Sequence, residues 1–303
     1  MVKKRRSFKG HLIFRNHFQF VVTLLTNSYL VGFFKGRIYQ GNTKAFCVPG
    51  LNCYACPGAI GSCPIGSLQA VIGQRGNPFP FYVGGLLTAF GTLGGRYTCG
   101  WLCPFGWFQD LLYKIKIPKK LKIRKLKALK GEKYLEKTRY LILLIFVILL
   151  PLYLVDFIGQ GSPYYCSWIC PSGTLSGLFL LMGNPSLFSV AGFLFAWKNL
   201  LLAITIIASI IIYRPFCRYV CPLGAIYGLF NKISLYHFEI DKEKCTNCEA
   251  CQRVCKLNIK VFEKPNSSAC IRCKECLAAC PENSIIEKFS LPFFNGQVVS
   301  ENG

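Results

Sequence analysis

The sequence predicts a mainly α-helical membrane protein. About four transmembrane helices are joined by cysteine-rich re-entrant loops, and a small cysteine-dense domain closes the chain. Three observations carry that prediction. The 303 residues are 52% hydrophobic, with 25 Phe, 15 Tyr and a mean hydropathy of +0.36, a composition suited to lipid contact. Apolar runs of near-spanning length recur, the least ambiguous being Tyr140 to about Val155. Eighteen cysteines are grouped rather than scattered, and eight of them fall between Cys245 and Cys280.

That last stretch reads C-x2-C-x2-C-x3-C, then fourteen residues, then C-x2-C-x2-C-x3-C-P. Eight thiols in this double spacing point to two [4Fe–4S] clusters, each needing four thiolates. Residues 240–288 resemble the bacterial-type ferredoxins, so a C-terminal 2[4Fe–4S] ferredoxin-like domain is expected. In two-cluster ferredoxins the fourth ligand of each cluster comes from the other motif. Cys245, Cys248, Cys251 and Cys280 are therefore expected around one cluster, and Cys255, Cys270, Cys273 and Cys276 around the other. One departure is Lys256, which follows Cys255 where the second motif has Pro281. The competing reading is a zinc-knuckle or disulfide domain, but paired zinc sites rarely use the x2-x2-x3 spacing twice.

Taken in order, the chain begins with Lys3, Lys4, Arg5, Arg6 and Lys9, followed by an apolar run from about His17 to Phe34. No small-residue cleavage site follows at the right place, so this reads as an uncleaved anchor. Its polar residues Thr23, Thr26, Asn27 and Ser28 suit contact with other helices rather than lipid. A Gly-, Pro- and Cys-rich loop over 35–80 carries Cys47, Cys53, Cys56 and Cys63. The second span, Phe81 to Tyr97, is Gly-rich; its Gly84-Gly85 and Gly94-Gly95 pairs read as helix-packing positions rather than phosphate loops. It leads to Cys99-x3-Cys103-Pro104. Residues 114–139 hold twelve Lys and Arg and read as a solvated loop or a surface-lying helix.

After the third span come Asp156 and Cys166-x3-Cys170-Pro171, in a stretch over 156–186 that has no Lys or Arg. Lys198 to Tyr213 is the fourth span, followed by Cys217-x3-Cys221-Pro222. Basic segments belong in the cytoplasm, which gives an inner-membrane, multi-pass chain with both termini inside. The expected division is a transmembrane cysteine-rich domain over 1–233, a cytoplasmic ferredoxin-like domain over 234–290 and a tail over 291–303. The formal charge of +23 would suggest nucleic acid in a soluble chain. Here the bases sit beside apolar spans, so topology and anionic lipid account for them, and no nucleic-acid partner is expected. His11, His17 and His237 form no facing pairs on spans, so haem held by paired histidines is not expected either.

C-x3-C-P thus occurs three times, each time beside an apolar span. Residues i and i+4 share a face of a helical turn, so each pair is expected to present two thiolates to one centre. Topology puts Cys99, Cys103, Cys217 and Cys221 on the cytoplasmic side, a complete set for one further cluster. Cys47, Cys53, Cys56, Cys63, Cys166 and Cys170 fall on the other side, two more than a cluster needs. A second membrane cluster, a mixture of cluster and disulfide, or disulfides alone all suit these six, and Cys53-x2-Cys56 also reads as a redox-active pair. The metal-ligand candidates among them are Cys53, Cys56, Cys63, Cys166 and Cys170.

The run CVPGLNCYACPGAIGSCPIG over 47–66, the C-x3-C-P pairs and the double ferredoxin tail resemble the membrane polyferredoxins that serve periplasmic nitrate reductase as a quinol-dehydrogenase component. Similar proteins are linked to nitrous-oxide reductase maturation, methylamine dehydrogenase and cytochrome oxidase assembly. The similarity covers nearly the whole chain, although the third C-x3-C-P at 166–170 is not assumed in every member. The resemblance implies a membrane electron-transfer component of an oxidoreductase. It would link a cytoplasmic ferredoxin-like or flavoprotein partner, or the quinone pool, to an extracytoplasmic redox partner. A quinone is a possible further cofactor, and Asp156 is a candidate proton acceptor by position. Two other readings remain: a cluster-bearing assembly or regulatory factor for a metalloenzyme, and a transmembrane thiol–disulfide reductant working through Cys53, Cys56, Cys166 and Cys170.

Overall fold

The computed structural model describes residues 8–74, 81–117, 125–127, 131–154, 161–183 and 192–290. The chain is mainly helical. Helix α1, Phe8–Thr26, ends where Asn27 and Thr26 turn their side chains back onto the carbonyls of Thr23 and Val22. The run expected as the first span therefore breaks at this point and resumes as the short α2, Val31–Lys35, which Gly36 closes in the left-handed conformation. After a loop come α3 (Pro64–Ile72) and α4 (Phe81–Gly94), then α5 (Tyr97–Trp101) and α6 (Pro104–Lys114).

The third apolar run sits on a continuous helical rod. It comprises α7 (Glu132–Ile142), a π-wound stretch Leu143–Leu149 and α8 (Leu150–Tyr153). The wider winding precedes Pro151, which has no N–H to give to the ladder. Asp156 and residues 118–124 and 128–130 of the basic stretch lie outside the described residues. Then follow α9 (Tyr164–Trp168), α10 (Pro171–Gly183), α11 (Phe193–Ile211), α12 (Pro215–Tyr219) and α13 (Pro222–Phe230).

Helix α11 is long and apolar enough to cross a membrane, with a mean hydropathy of 2.0 and only 11% of its most apolar window buried. Among the described residues it alone meets that length and composition; α4 and Pro171–Met182 are apolar but shorter. Large apolar side chains also lie exposed on α1 (Ile13, Val21, Leu25) and on the rod (Leu141, Leu144, Leu152). An apolar surface this extensive on several helices is unusual for a chain surrounded by water.

The C-terminal part is small. Strands β1 (Tyr236–Ile240) and β2 (Ile285–Phe289) pair antiparallel, Tyr236 opposite Phe289 and Ile240 opposite Ile285. Between them lie two cysteine loops and the single-turn helices α14 (Ala250–Val254) and α15 (Glu275–Ala279). One apolar core runs through the helical part and takes in Leu257 and Ile271 of the C-terminal part. A smaller one, around Phe238, Val261 and Ile285, supports the hairpin.

A candidate iron–sulfur conduit

All eighteen cysteines are free thiols. Sixteen of them gather in four groups of four, built by two local devices. In the C-terminal part each C-x2-C-x2-C loop holds non-glycine residues in the left-handed region on either side of its second cysteine. These are Asn247 and Glu249 around Cys248, and Arg272 and Lys274 around Cys273. Such residues are costly there without a purpose; in the second loop the N–H of Arg272 serves Cys270 and that of Glu275 serves Cys273. Cys245, Cys248, Cys251 and Cys280 line one small pocket against Ile240, Phe262 and Ile285. Cys255, Cys270, Cys273 and Cys276 interact electrostatically with one another, Cys270 and Cys276 being buried.

Burial pushes the Cys270 thiol up to about 11 and the Cys273 thiol up to about 12. Cys280 moves the other way. Burial raises it, but the Ser284 hydroxyl at 3.2 Å and nearby backbone N–H groups outweigh that and hold it below the ordinary thiol range. Without iron the Cys270 and Cys273 thiols carry their protons near neutrality, so metal binding there releases them.

The second device belongs to the helical part. Cys99 lies inside α5 and Cys217 inside α12, whereas Cys103 and Cys221 are extended N-caps, each followed by proline at the first helical position. The expectation that C-x3-C shows both thiols on one face of a single helical turn is corrected: the helix breaks between them. The N–H of Gly106 donates to Cys103 Sγ at 3.4 Å, and that of Gly224 serves Cys221. Leu51 N–H and Gln109 Nε2 donate to Cys103 Sγ (3.4 Å) and Cys217 Sγ (3.0 Å). Cys99, Cys103, Cys217 and Cys221 are all buried and lie within electrostatic reach of one another.

Two arginines lock this group by exchange. Arg96 stands three residues before Cys99 and donates to the Cys217 carbonyl at 2.8 Å; Arg214 stands three before Cys217 and donates to the Cys99 carbonyl at 2.5 Å. Both are about 1% exposed. Asp110 neutralises Arg214 through two hydrogen bonds and also accepts from Arg15 at 2.8 Å. Burial alone would raise that carboxyl, but the Arg214 and Arg15 guanidinium groups hold it down to about 2. These residues were missed in the sequence, although R-x2-C-x3-C-P at 96–104 and 214–222 was there to read.

The group is tied to the C-terminal part. Arg96 also donates to the Ser268 and Ala269 carbonyls at 3.0 and 3.1 Å, Trp101 Nε1 to the Arg272 carbonyl at 3.1 Å, and Arg15 to Glu275 at 3.0 Å. Gly100 packs so closely that a Cβ there would stand 2.2 Å from the Ile271 carbonyl oxygen. On the opposite flank, a Cβ on Gly50 would meet the Cys103 Cα at 2.8 Å, so the 47–53 loop rests on the same group.

Of the six remaining cysteines, the structure brings Cys53, Cys63, Cys166 and Cys170 to the wall of one cavity of about 430 Å³. Cys56, expected with them, is not on that wall; its Sγ faces Asn27 Oδ1 at 3.6 Å. Cys47 pairs with the Ser67 hydroxyl at 3.3 Å. Among the described residues no three His, Cys, Asp or Glu side chains converge on a single-ion site. Four thiols around a space, with N–H groups aimed at the sulfurs, suit a cubane, which is larger than one ion and is tuned by such hydrogen bonds.

Residues 76–124, 138–186 and 192–240 each match the family described as a 4Fe-4S binding domain. The chain is 30% identical over 193 residues to the uncharacterized protein MJ0749 of Methanocaldococcus jannaschii, covering 64% of each. It is 30% identical over 199 residues to the uncharacterized protein MJ0750 of the same organism, covering 66% of this chain and 74% of that protein. With the ferredoxin-type protein NapH of Haemophilus influenzae it shares 28% identity over 190 residues, 44% of this chain and 64% of that one. The chain thus spans a little under two thirds of the length of the first and third of these relatives. No solved structure matches it.

Proposed function

The chain belongs to the NapH-like family of ferredoxin-type [4Fe–4S] proteins, and from that premise we propose that it conducts electrons through the cytoplasmic membrane on clusters held by its own thiols. It would do so between a cytoplasmic ferredoxin-like or flavoprotein partner, or the quinone pool, and an extracytoplasmic acceptor. The observation that carries the reading is continuity. One core contains the Cys99, Cys103, Cys217 and Cys221 group and reaches Cys255 and Cys273 without a break.

The clusters, when bound, supply one-electron carriers that change charge with little rearrangement. The chain supplies the rest. Cys245, Cys248, Cys251 and Cys280 would hold one cluster, Cys255, Cys270, Cys273 and Cys276 a second, and Cys99, Cys103, Cys217 and Cys221 a third. Arg96, Trp101 and Arg15 fix the second group against the third, and Gly100 removes the side chain that would separate them. Burial of the third group excludes water. An apolar cavity of about 400 Å³, lined by Leu93, Tyr97, Leu102, Tyr236 and Lys274, offers a quinone ring a place beside α5 and the α5–α6 junction that carry Cys99 and Cys103.

Helices α1, α4, the α7–α8 rod and α11 are the four spans of this reading, with residues 234–290 on the cytoplasmic face. The bases of 114–139 and the exposed apolar faces of α1, the rod and α11 support it. The test is to purify the full chain without oxygen, count iron and sulfide, and record EPR spectra. About eight irons per chain, with Cys99, Cys103, Cys217 and Cys221 open to alkylation, would reduce the protein to a tethered ferredoxin.

A further inference from the structure

Three C-x3-C-P pairs supply six thiols, and two of the pairs complete one group of four. Cys166 and Cys170 are left over, within the segment 138–186 that matches a 4Fe-4S binding domain. Their neighbours across the cavity are Cys53 and Cys63, which lie outside all three matching segments. We infer that Cys53, Cys63, Cys166 and Cys170 form a fourth [4Fe–4S] site, on the extracytoplasmic side of the Cys99, Cys103, Cys217 and Cys221 group. The inference deepens the proposed function and rests on it.

Local construction is the first argument. C-P-x-G occurs four times, at Cys63–Gly66, Cys103–Gly106, Cys170–Gly173 and Cys221–Gly224. Cys63, like Cys103 and Cys221, is an extended N-cap with proline at the first helical position; Cys170 likewise directly precedes α10. In each copy the glycine N–H serves the sulfur of the cysteine three residues before it. Two copies build the Cys99 group, and the other two face each other across this cavity.

The cavity itself is the second argument. Apart from the thiols, and among the described residues, its wall holds no charged side chain: Leu51, Ala55, Ala70 and Pro163 with the small polar Ser62, Ser67 and Ser172. A Cβ on Gly66 would lie in ordinary contact with Cys166 Sγ at 3.8 Å, and one on Gly173 with Cys53 Sγ at 3.7 Å, so both glycines border the sulfurs. Sulfur also has donors: Gln69 Nε2 reaches Cys166 Sγ at 3.4 Å, and the Ser176 hydroxyl and Ala55 N–H serve Cys53. Lys198, an ammonium on the apolar α11, donates to the Cys166 carbonyl at 3.2 Å and sets a positive charge beside thiolates that would otherwise lie uncompensated. Binding a cubane forms one iron–sulfur bond at each thiol and releases one proton from each.

The experiment uses the full chain, purified in detergent without oxygen. Expected are about sixteen irons and as many sulfides per chain, four per cubane. C53A/C166A should fall to about twelve, while C47A/C56A stays near sixteen. About twelve irons in the wild type, falling to about eight in C99A/C217A, would overturn the inference and leave the proposed function standing. So would recovery of Cys53, Cys63, Cys166 and Cys170 as disulfides, seen as thiols that alkylate after denaturation only when a reductant is added. A wild type with about eight irons sinks the underlying reading as well. If C53A/C166A does not fold, the wild-type count and the alkylation pattern still decide.

Discussion

The helical part and the C-terminal part solve one problem in two ways. Both break the chain between the cysteines of C-x3-C. Cys251 and Cys276 lie in single-turn helices, and Cys255 and Cys280 follow in extended backbone, as Cys103 and Cys221 follow α5 and α12. The donors that face the sulfurs differ. In the C-terminal part many come from the chain that follows the cysteines, Leu257 and Ile259 N–H for Cys255 and Glu282, Ser284 and Ile285 N–H for Cys280. In the helical part the first turns of helices, where N–H groups are free by construction, supply Gly106 and Gly224 N–H, and Leu51 N–H and Gln109 Nε2 are added to them. A site buried among helices away from water cannot leave backbone unsatisfied, so a helix start is the cheaper source of donors. The helical part also buries its counter-charges, whereas the C-terminal part keeps many of its ion pairs at the surface.

The largest expected effect tests that last difference. D110A would leave the buried Arg214 without its carboxylate and Arg15 with the Glu275 carboxylate alone, and should destabilise the protein by about 3–5 kcal/mol. Removing the exposed partner of the Asp241–Lys244 pair in K244A should leave the thermal midpoint in detergent unchanged. The comparison breaks if the two variants melt alike. An internal check comes from acid. The folded Asp110 carboxyl lies below its ordinary range, so its contribution is present above about pH 4 and is lost as pH falls toward about 2. The wild type should show this acid limb, and D110A should lack it.

Next comes the seam between the parts. G100A puts a methyl group against the Ile271 carbonyl and must push the C-terminal part away, at about 1–3 kcal/mol of overpacking. Gly85, helical with nothing within 4 Å of a Cβ, is the control: G85A should be neutral or stabilising by up to about 1 kcal/mol. Limited proteolysis in the linker near residue 233 reads the difference. If G100A is cut no faster than G85A, the close approach does not hold the seam.

How much of this was legible beforehand follows from what each pattern encodes. The two ferredoxin loops were readable because their x2-x2-x3 spacing is local, whereas assigning Cys280 to the first loop drew on the two-cluster ferredoxin pattern; the structure places Cys280 on one pocket wall with Cys245, Cys248 and Cys251. Cys99 and Cys217 lie more than a hundred residues apart and meet through packing, so only the topology argument could pair them. Among the six outer thiols, neither spacing nor topology separates Cys56 from Cys63; that takes the fold, with α3 and α10 starting across the cavity from each other. The buried arginines were hidden by composition: in a chain of +23, two more bases look like topology signals until their carbonyl partners are seen. Helix α1 stops at Thr26 because Thr and Asn side chains compete for its last carbonyls, a local conflict that hydropathy averages away.

The smallest effect concerns access. Cys248 is exposed and its group opens to the surface, whereas Cys99, Cys103, Cys217 and Cys221 are each about 5% exposed. Iron leaves a cluster when a chelator reaches it or an oxidant attacks it, and both need a path for solvent. On slow chelation of the intact protein, the first cluster signal to disappear should therefore belong to the Cys245, Cys248, Cys251 and Cys280 group, and C248A should remove that fastest phase while leaving the later ones. Loss that begins instead at the buried group would mean that α5 and α12 open more readily than a surface loop. The rigidity ascribed here to the arginine exchange would then be wrong.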